Sequence, residues 1–154
     1  MSVAFRRESD EEHKEPRFEL PLPPGPNIVT ARGLVLTEAQ CRMLEGELAT
    51  ATTDERRAEV QRDLRYWRTR LATAQVAPPP SGEAVQIGMR VTLKQGGRTR
   101  ILSIVGYDEA DPKTGLIAFG SPLGKALIGA EAGDEVELNG EPVLVMAVAP
   151  SGEI

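Results

Sequence analysis

Chemically reactive side chains are scarce in this sequence. Cys41 is the only cysteine and His13 the only histidine, so neither an intrachain disulfide nor a Cys/His zinc site can be assembled. The same scarcity leaves no Ser/His/Asp or Cys/His set for nucleophilic catalysis. Gly96-Gly97 is not a phosphate loop, because no helix start and lysine follow it at the needed spacing. These residues therefore give no sign of a zinc site, a nucleophilic active site or a phosphate-binding loop, and we expect no catalytic activity, cofactor or metal site.

Asp54 and Glu55 are adjacent carboxylates in the middle of the chain. They follow Thr50, Thr52 and Thr53, which are polar residues that interrupt and cap helices. Asp54 and Glu55 suit the first turn of a helix, where the helix dipole favours negative charge.

The composition disfavours several functional classes. Apolar residues make up 40% of the chain and aromatic residues 4%, which indicates an aliphatic core and disfavours an aromatic-lined ligand pocket. The net charge of −5 disfavours a generally basic nucleic-acid binder. Residues 30–76 carry 8 basic and 7 acidic side chains, whereas residues 77–154 carry 6 and 10. The acidic C-terminal part points to a protein partner rather than a phosphate backbone.

The chain divides into four parts. Residues 1–26 are rich in charge and proline and predict a disordered tail, or a segment that becomes ordered against a partner. Residues 27–76 predict a helical hairpin, a short coiled coil. Residues 77–82 read APPPSG and predict a stiff linker, because consecutive prolines cannot continue a helix. Residues 83–154 predict a C-terminal domain. Without a membrane-length apolar run or a signal-peptide core, we expect a cytoplasmic protein.

Two apolar stripes define the hairpin, joined through residues 49–55. The first stripe consists of Leu34, Cys41, Leu44 and Leu48. The second recurs at steps of four and three and consists of Val60, Leu64, Trp67, Leu71 and Ala74. Either Thr30 or Thr37 can cap the first helix, and Thr37 with Gln40 fits the capping-box spacing.

The C-terminal part has the period of a β-sheet. Gly96-Gly97 and Asn139-Gly140 predict tight hairpin turns between apolar runs. Ser121-Pro122 predicts the start of a short helix that ends at Gly129. The predicted strands are residues 90–94, 100–107, 116–119, 135–138 and 143–148. This order predicts an α+β fold with one short helix across an antiparallel sheet.

Four strings resemble, in order and spacing, the Gre family of bacterial transcript-cleavage and elongation factors. They are residues 27–34 (NIVTARGL), 62–71 (RDLRYWRTRL), 104–109 (IVGYDE) and 121–129 (SPLGKALIG) followed by 133–136 (GDEV). The last string is the most specific, and together the strings span roughly the stretch from residue 27 to residue 148.

The resemblance implies an N-terminal antiparallel α-helical hairpin and a C-terminal domain similar to the FK506-binding-protein (FKBP) fold. In the family, this domain holds the rim of the RNA polymerase secondary channel. The hairpin enters the channel, and acidic residues at its tip help to hold a catalytic magnesium ion that cleaves backtracked RNA. Prolyl isomerase activity is not expected, because Tyr107 and Phe119 alone cannot form the aromatic-rich pocket that such a site needs.

The sequence departs from the family at the hairpin tip. Family cleavage factors carry a tip motif like Gly-Asp-x-Ser-Glu-Asn-Ala-Glu-Tyr, which is absent here. The hairpin is also about twenty residues short, which shortens its reach by roughly 15 Å. A carboxylate that far away cannot coordinate a metal whose ligand distances are about 2 Å. A short hairpin is more similar to the family's regulator branch, which includes a regulator of nucleoside diphosphate kinase.

The resemblance carries candidate site residues onto this chain. The polymerase contact corresponds to Ser121, Pro122 and Lys125, although Ser121 and Pro122 can equally cap a helix, and both roles are compatible. Gly120 stands where family members often carry Asp or Asn. Asp54 and Glu55 at the hairpin tip are either a remnant acidic tip directed at magnesium or helix-capping residues, and the short reach favours capping.

Trp67 and the arginines of the second helix each have two interpretations. Trp67 is either an interface anchor or part of the hairpin seam. The arginines form either a basic face toward RNA or a solvated face paired with Glu59 and Asp63. They are Arg56, Arg57, Arg62, Arg65, Arg68 and Arg70.

We therefore expect a monomeric elongation regulator that binds core RNA polymerase at the channel rim and competes with other channel-binding factors. It is expected to need no cofactor and to contact no membrane. One alternative is a cleavage-stimulating factor that uses Asp54 and Glu55 as metal ligands. Another is a non-polymerase interaction module similar to the nucleoside diphosphate kinase regulator. Indirect contact with transcript RNA and binding to DNA are left open.

Overall fold

A computed structural model of the protein describes residues 19–151. It has the predicted α+β architecture, with an N-terminal helical hairpin followed by a C-terminal sheet. Most of the tail predicted for residues 1–26, including His13, lies outside the described residues. In the part of the chain that the structure covers, no helix is both long and apolar enough to cross a membrane.

Two helices of 20 residues each form the hairpin: α1 spans Ala31–Thr50 and α2 spans Asp54–Thr73. Their facing sides bury the predicted stripes except Leu34 and Ala74, which lie outside this core, and Val60 and Leu64 are 0% and 2% exposed. Trp67 is partly buried against this core, as its position in the second stripe predicts. The other members of the core are Cys41, Leu44, Leu48 and Leu71.

Threonine side chains cap the start of both helices. Thr30 accepts the N–H of Gly33 at 3.0 Å, and Thr53 accepts the N–H of Arg56 at 3.1 Å. The capping box predicted at Thr37 is wrong. Because α1 already begins at residue 31, Thr37 lies inside it, and its hydroxyl donates to the carbonyl oxygen of Gly33 at 2.9 Å.

A two-stranded parallel sheet closes the base of the hairpin. Strand β1 spans Ile28–Val29 and strand β2 spans Gln75–Val76. The N–H of Gln75 donates to the carbonyl oxygen of Asn27 at 2.9 Å, which ties the two ends of the hairpin together. Strands this short leave no periodic pattern in the sequence. Residues 77–82, with their three prolines, contain neither helix nor strand.

The C-terminal sheet has five strands in the order β5-β4-β3-β7-β6. The strands are β3 (Met89–Gln95), β4 (Arg98–Val105), β5 (Leu116–Ala118), β6 (Glu135–Leu138) and β7 (Glu141–Pro150). Both predicted hairpin turns are present. Asn139 and Gly140 have φ values of 54° and 82°, the left-handed conformation that two-residue hairpin turns require.

The prediction of a wholly antiparallel sheet is wrong at one edge. Strand β4 is antiparallel to β3, but β5 pairs parallel with β4 along residues 103–105. The connection between β4 and β5 contains two 3-10 turns, Tyr107–Glu109 and Pro112–Thr114. A parallel neighbour needs such a crossover connection, because a tight turn can only reverse the strand direction.

A single apolar core joins this sheet to helix α3, which spans Pro122–Leu127. The buried members of this core all lie between residues 85 and 145, and Val91, Ile104 and Leu127 are completely buried. The hairpin core is a separate cluster. The two halves of the described chain therefore have their own apolar cores and meet through other contacts.

Candidate functional site

The Ser121 side chain builds the loop that leads into α3. Its hydroxyl accepts the N–H of Gly124 at 3.1 Å and donates to the carbonyl oxygen of Ala118 at 2.7 Å. Pro122 occupies the first helical turn, where its missing N–H costs nothing. The capping interpretation of Ser121 and Pro122 is therefore confirmed. Because both hydrogen bonds of the Ser121 hydroxyl are made to main-chain atoms of the same loop, this hydroxyl fixes the conformation of the loop.

Gly124 allows this loop to fold tightly. A side chain at Gly124 would place its Cβ 2.8 Å from the carbonyl oxygen of Phe119, closer than real Cβ atoms come. Main-chain atoms cannot yield as a flexible side chain can, so the position requires glycine. The consequence is a short helix held directly against the end of β5.

The outer surface of the loop is open. Pro122 and Lys125 are exposed and Ser121 is half-buried. In the described part of the chain, the ammonium group of Lys125 makes no ion pair. An open cavity of about 330 Å³, lined mainly by apolar side chains that include Leu123 and Leu138, adjoins Ser121 and Pro122. Ser121 and Pro122 thus line an apolar hollow, and Lys125 follows them in α3 as an exposed cation.

Gly120 precedes this loop and lies against Tyr107. A side chain at Gly120 would collide with the Tyr107 ring and hydroxyl. The Tyr107 ring packs at a tilt on Phe119, with ring centroids 5.2 Å apart. Tyr107 therefore occupies the space that an Asp or Asn side chain at position 120 would need.

The hairpin tip places Asp54 and Glu55 in the first turn of α2, as the capping interpretation predicts. The Asp54 side chain is fully exposed, and its carboxylate lies 3.3 Å from Nη1 of Arg57. Among residues 19–151, no cluster of three or more His, Cys, Asp or Glu side chains could hold a metal ion. The tip is a solvated helix start, and Asp54 pairs there with Arg57.

Five of the six arginines of α2 lie on the solvated face and pair with carboxylates. The pairs are Arg56–Glu47, Arg57–Asp54, Arg62–Asp63, Arg65–Glu19 and Arg68–Glu45. This arrangement matches the solvated-face interpretation and includes both predicted partners, because Arg56 also pairs with Glu59 at 3.2 Å and Arg62 pairs with Asp63 at 3.0 Å. Arg70 does not belong to this face, because it is only 4% exposed.

The junction between the hairpin and the sheet is a site that the sequence analysis missed. Asp108 accepts hydrogen bonds from the hydroxyl of Tyr66 and from Nε of Arg70, the latter at 2.6 Å. Both donors lie on α2. Burial, with a further contribution from the Asp108 carboxylate, raises the pKa of Tyr66 to about 12.

Glu109 connects the sheet domain to the start of α1, as Asp108 connects it to α2. It accepts the hydroxyl hydrogen of Thr30 at 2.6 Å and a hydrogen bond from Nη1 of Arg32 at 2.7 Å. Two consecutive residues of the sheet domain, Asp108 and Glu109, therefore hold one helix each. The string 104–109 marked this segment, but nothing local to it reveals partners 38 to 79 residues away.

The family described as "Transcription elongation factor, GreA/GreB, C-term" matches residues 79–146. A relative named transcription elongation factor GreA, from Verminephrobacter eiseniae, extends the similarity to the hairpin. It is 32% identical over 156 residues, covering 98% of this chain and 91% of that protein. The chain belongs to the GreA/GreB family of transcription elongation factors. Within the family match lie Ser121, Pro122 and Lys125, whereas Asp54 and Glu55 lie outside it.

Other GreA/GreB relatives match a shorter stretch. GreA of Desulfovibrio desulfuricans is 40% identical over 88 residues, and GreB of Neisseria meningitidis serogroup A is 42% identical over 88 residues. Each match covers 54% of this chain and 54% of the relative, so the chain spans about half the length of these relatives. Among solved structures, GreA factor homolog 1 (Gfh1) of Thermus thermophilus is 20% identical with a TM-score of 0.40, covering 81% of this chain and 99% of that chain.

Proposed function

We propose that this protein is an elongation regulator that binds core RNA polymerase at the rim of the secondary channel and does not stimulate transcript cleavage. It acts as a cytoplasmic monomer, without a cofactor or catalytic activity of its own. The hairpin is the observation that carries this proposal. Its two helices have 20 residues each, and its tip carries Asp54 and Glu55 as solvated first-turn residues.

The length of the hairpin argues against cleavage. A helix of 20 residues extends about 30 Å, and the hairpin is roughly 15 Å shorter than that of the family's cleavage factors. Cleavage requires carboxylates within about 2 Å of a metal held by the polymerase, which this hairpin would not reach. Asp54 is also engaged with Arg57, so a metal would have to displace that ion pair. With cleavage disfavoured, the protein acts by occupying the channel rim.

The surface of Ser121, Pro122 and Lys125 is the proposed polymerase contact. The exposed Lys125 offers a partner a charge contact, and the apolar hollow at Ser121 and Pro122 offers a place to bury an apolar side chain. The binding face is then on the sheet domain, and the Asp108–Glu109 junction sets the direction in which the hairpin points from it.

Co-purification with core RNA polymerase tests this proposal. We expect the protein to bind core enzyme and to displace a GreA-type cleavage factor from it. Pro122→Ala with Lys125→Ala should weaken binding, whereas Lys94→Ala, which changes an exposed lysine on β3 outside the lining of the hollow, should not. Ser121→Ala with Pro122→Ala should weaken it too, but removal of a cap also costs about 1 kcal/mol of folding stability. Absence of binding and of competition at micromolar concentration would refute the proposal.

A backtracked elongation complex tests the absence of cleavage. We expect no increase in transcript cleavage when the protein is added, and polymerase binding nearly intact in Asp54→Ala with Glu55→Ala. Robust cleavage that disappears in this double variant would identify a true cleavage factor with a compact tip.

A further inference from the structure

The β3–β4 hairpin is basic although the whole chain is acidic. Residues 89–105 contain four basic and no acidic side chains, in a protein of net charge −5. The four are Arg90, Lys94, Arg98 and Arg100, and all are exposed. In the described part of the chain none of them forms an ion pair, in contrast to the arginines of α2. This hairpin therefore presents uncompensated positive charge.

One side of β4 is an open sheet edge. Strand β5 pairs with β4 only along residues 103–105, so residues 98–101 have no strand beyond them. Ser103 donates its N–H toward β5, to the carbonyl oxygen of Gly115 at 2.8 Å. Because N–H groups alternate in direction along a strand, those of Thr99 and Ile101 face this same edge. The edge thus offers another strand the main-chain groups of Thr99 and the N–H of Ile101, whereas the carbonyl oxygen of Ile101 already lies close to Gly115.

The side chains along this edge differ between the two faces of the sheet. Arg98 and Arg100 lie on one face, and Thr99 and Ile101 lie on the other, since successive residues of a strand alternate. Ile101 is 60% exposed, the largest exposure among the big apolar side chains of the described chain. If another strand paired with this edge, its side chains on each face of the sheet would lie next to the β4 side chains on that face.

We propose that the open edge of β4 binds an extended segment of a partner protein in which acidic and apolar residues alternate. The acidic residues pair with Arg98 and Arg100 on one face, and the apolar residues cover Ile101 on the other. Main-chain hydrogen bonds to Thr99 and Ile101 provide the remaining affinity, as in other cases of strand addition.

Two features favour such a segment over a second copy or a nucleic acid. A second copy would bring its own two arginines against these, and like charges on paired edges repel. A nucleic acid would use the cations but would leave Ile101 exposed, and no aromatic side chain lies in residues 89–105 to stack on a base. A strand with alternating acidic and apolar residues would match both the arginines on one face and Ile101 on the other.

Nuclear magnetic resonance on the full chain tests the inference independently of polymerase binding. The probe is a short peptide that alternates Glu and Val, and the control peptide has the same composition with all Glu before all Val. We expect the alternating peptide to shift the amide signals of Thr99 and Ile101 and to slow their hydrogen exchange. Equal binding of the control peptide, or shifts elsewhere only, would overturn the proposal. Binding of a single-stranded oligothymidine without binding of the peptide would overturn it in favour of a phosphate ligand.

Matched variants distinguish this edge from general electrostatics. Arg98→Gln with Arg100→Gln should weaken peptide binding roughly tenfold, through the loss of two cross-strand charge pairs. Arg56→Gln with Arg68→Gln removes the same charge from α2, outside the sheet, and should leave binding within a factor of about two. Thr99→Pro removes one edge N–H without touching a β3 hydrogen bond and should abolish binding. Equal losses in the two glutamine pairs would refute a specific edge site.

Discussion

The carboxylate of Asp108 accepts a hydrogen bond from Nε of Arg70 at 2.6 Å, although the two residues are 38 positions apart in the chain. Their side chains are only 14% and 5% exposed, so the ion pair lies between α2 and the sheet domain and is shielded from water. The hairpin and the sheet have separate apolar cores. Their mutual orientation therefore depends strongly on this pair and on the neighbouring contacts of Glu109.

Replacement of Asp108 should destabilise the protein markedly. Asp108→Ala leaves the buried Arg70 guanidinium without its carboxylate, and the loss of one partner of a buried pair costs about 3 kcal/mol. The control is Asp63→Ala, because Asp63 pairs with Arg62 in a half-exposed position. Such a surface pair is worth less than about 1 kcal/mol. Urea unfolding of both variants measures the difference, and similar losses for the two would contradict a stabilising role of the junction.

Gly106→Ala should strain the same junction without changing any charge. A Cβ at Gly106 would lie 2.5 Å from the carbonyl oxygen of Ile28, a main-chain atom that cannot move freely. We expect a loss of about 1–3 kcal/mol in the free energy of unfolding. Gly46→Ala is the control, because a Cβ at Gly46 meets no atom within 4 Å and the residue lies inside α1. The free energy of unfolding of that variant should rise by about 0.5–1 kcal/mol. If it fell in both variants, a steric clash at Gly106 would not explain the loss.

The ionisation of Tyr66 should make the protein less stable at high pH. Burial raises the pKa of Tyr66 from 10.0 to about 12, so the folded protein retains the neutral phenol. The corresponding stabilisation is complete below pH 10 and is lost as the pH rises through 12. Tyr107→Phe leaves Tyr66 as the sole tyrosine, and its tyrosinate absorbance reports the titration directly. A midpoint at the ordinary value of 10.0 would contradict the buried contact with Asp108.

The sheet domain should fold without the hairpin. The buried members of its apolar core all lie between residues 85 and 145, and the junction residues Asp108 and Glu109 would become solvated carboxylates in the isolated fragment. We expect residues 83–154 expressed alone to give a dispersed amide spectrum. A disordered spectrum for this fragment would show that residues 77–82 do not separate two independently folding units.

Local structure was readable from the sequence because it depends on residues only a few positions apart. The Thr30 and Thr53 caps and the Ser121-Pro122 helix start each need a hydroxyl close to free N–H groups of the next turn. The Asn139-Gly140 turn needs two residues that tolerate positive φ.

Tertiary structure alone decided which distant residues meet. Six arginines of α2 follow one another with similar sequence surroundings, yet only Arg70 is buried, because α2 meets the sheet domain at its last turns. The parallel pairing of β5 and the small base sheet likewise arise from how packed elements bring chain segments together. Periodicity identifies the face that a helix buries, but the choice of partner depends on the relative placement of whole elements, which no short stretch of sequence encodes.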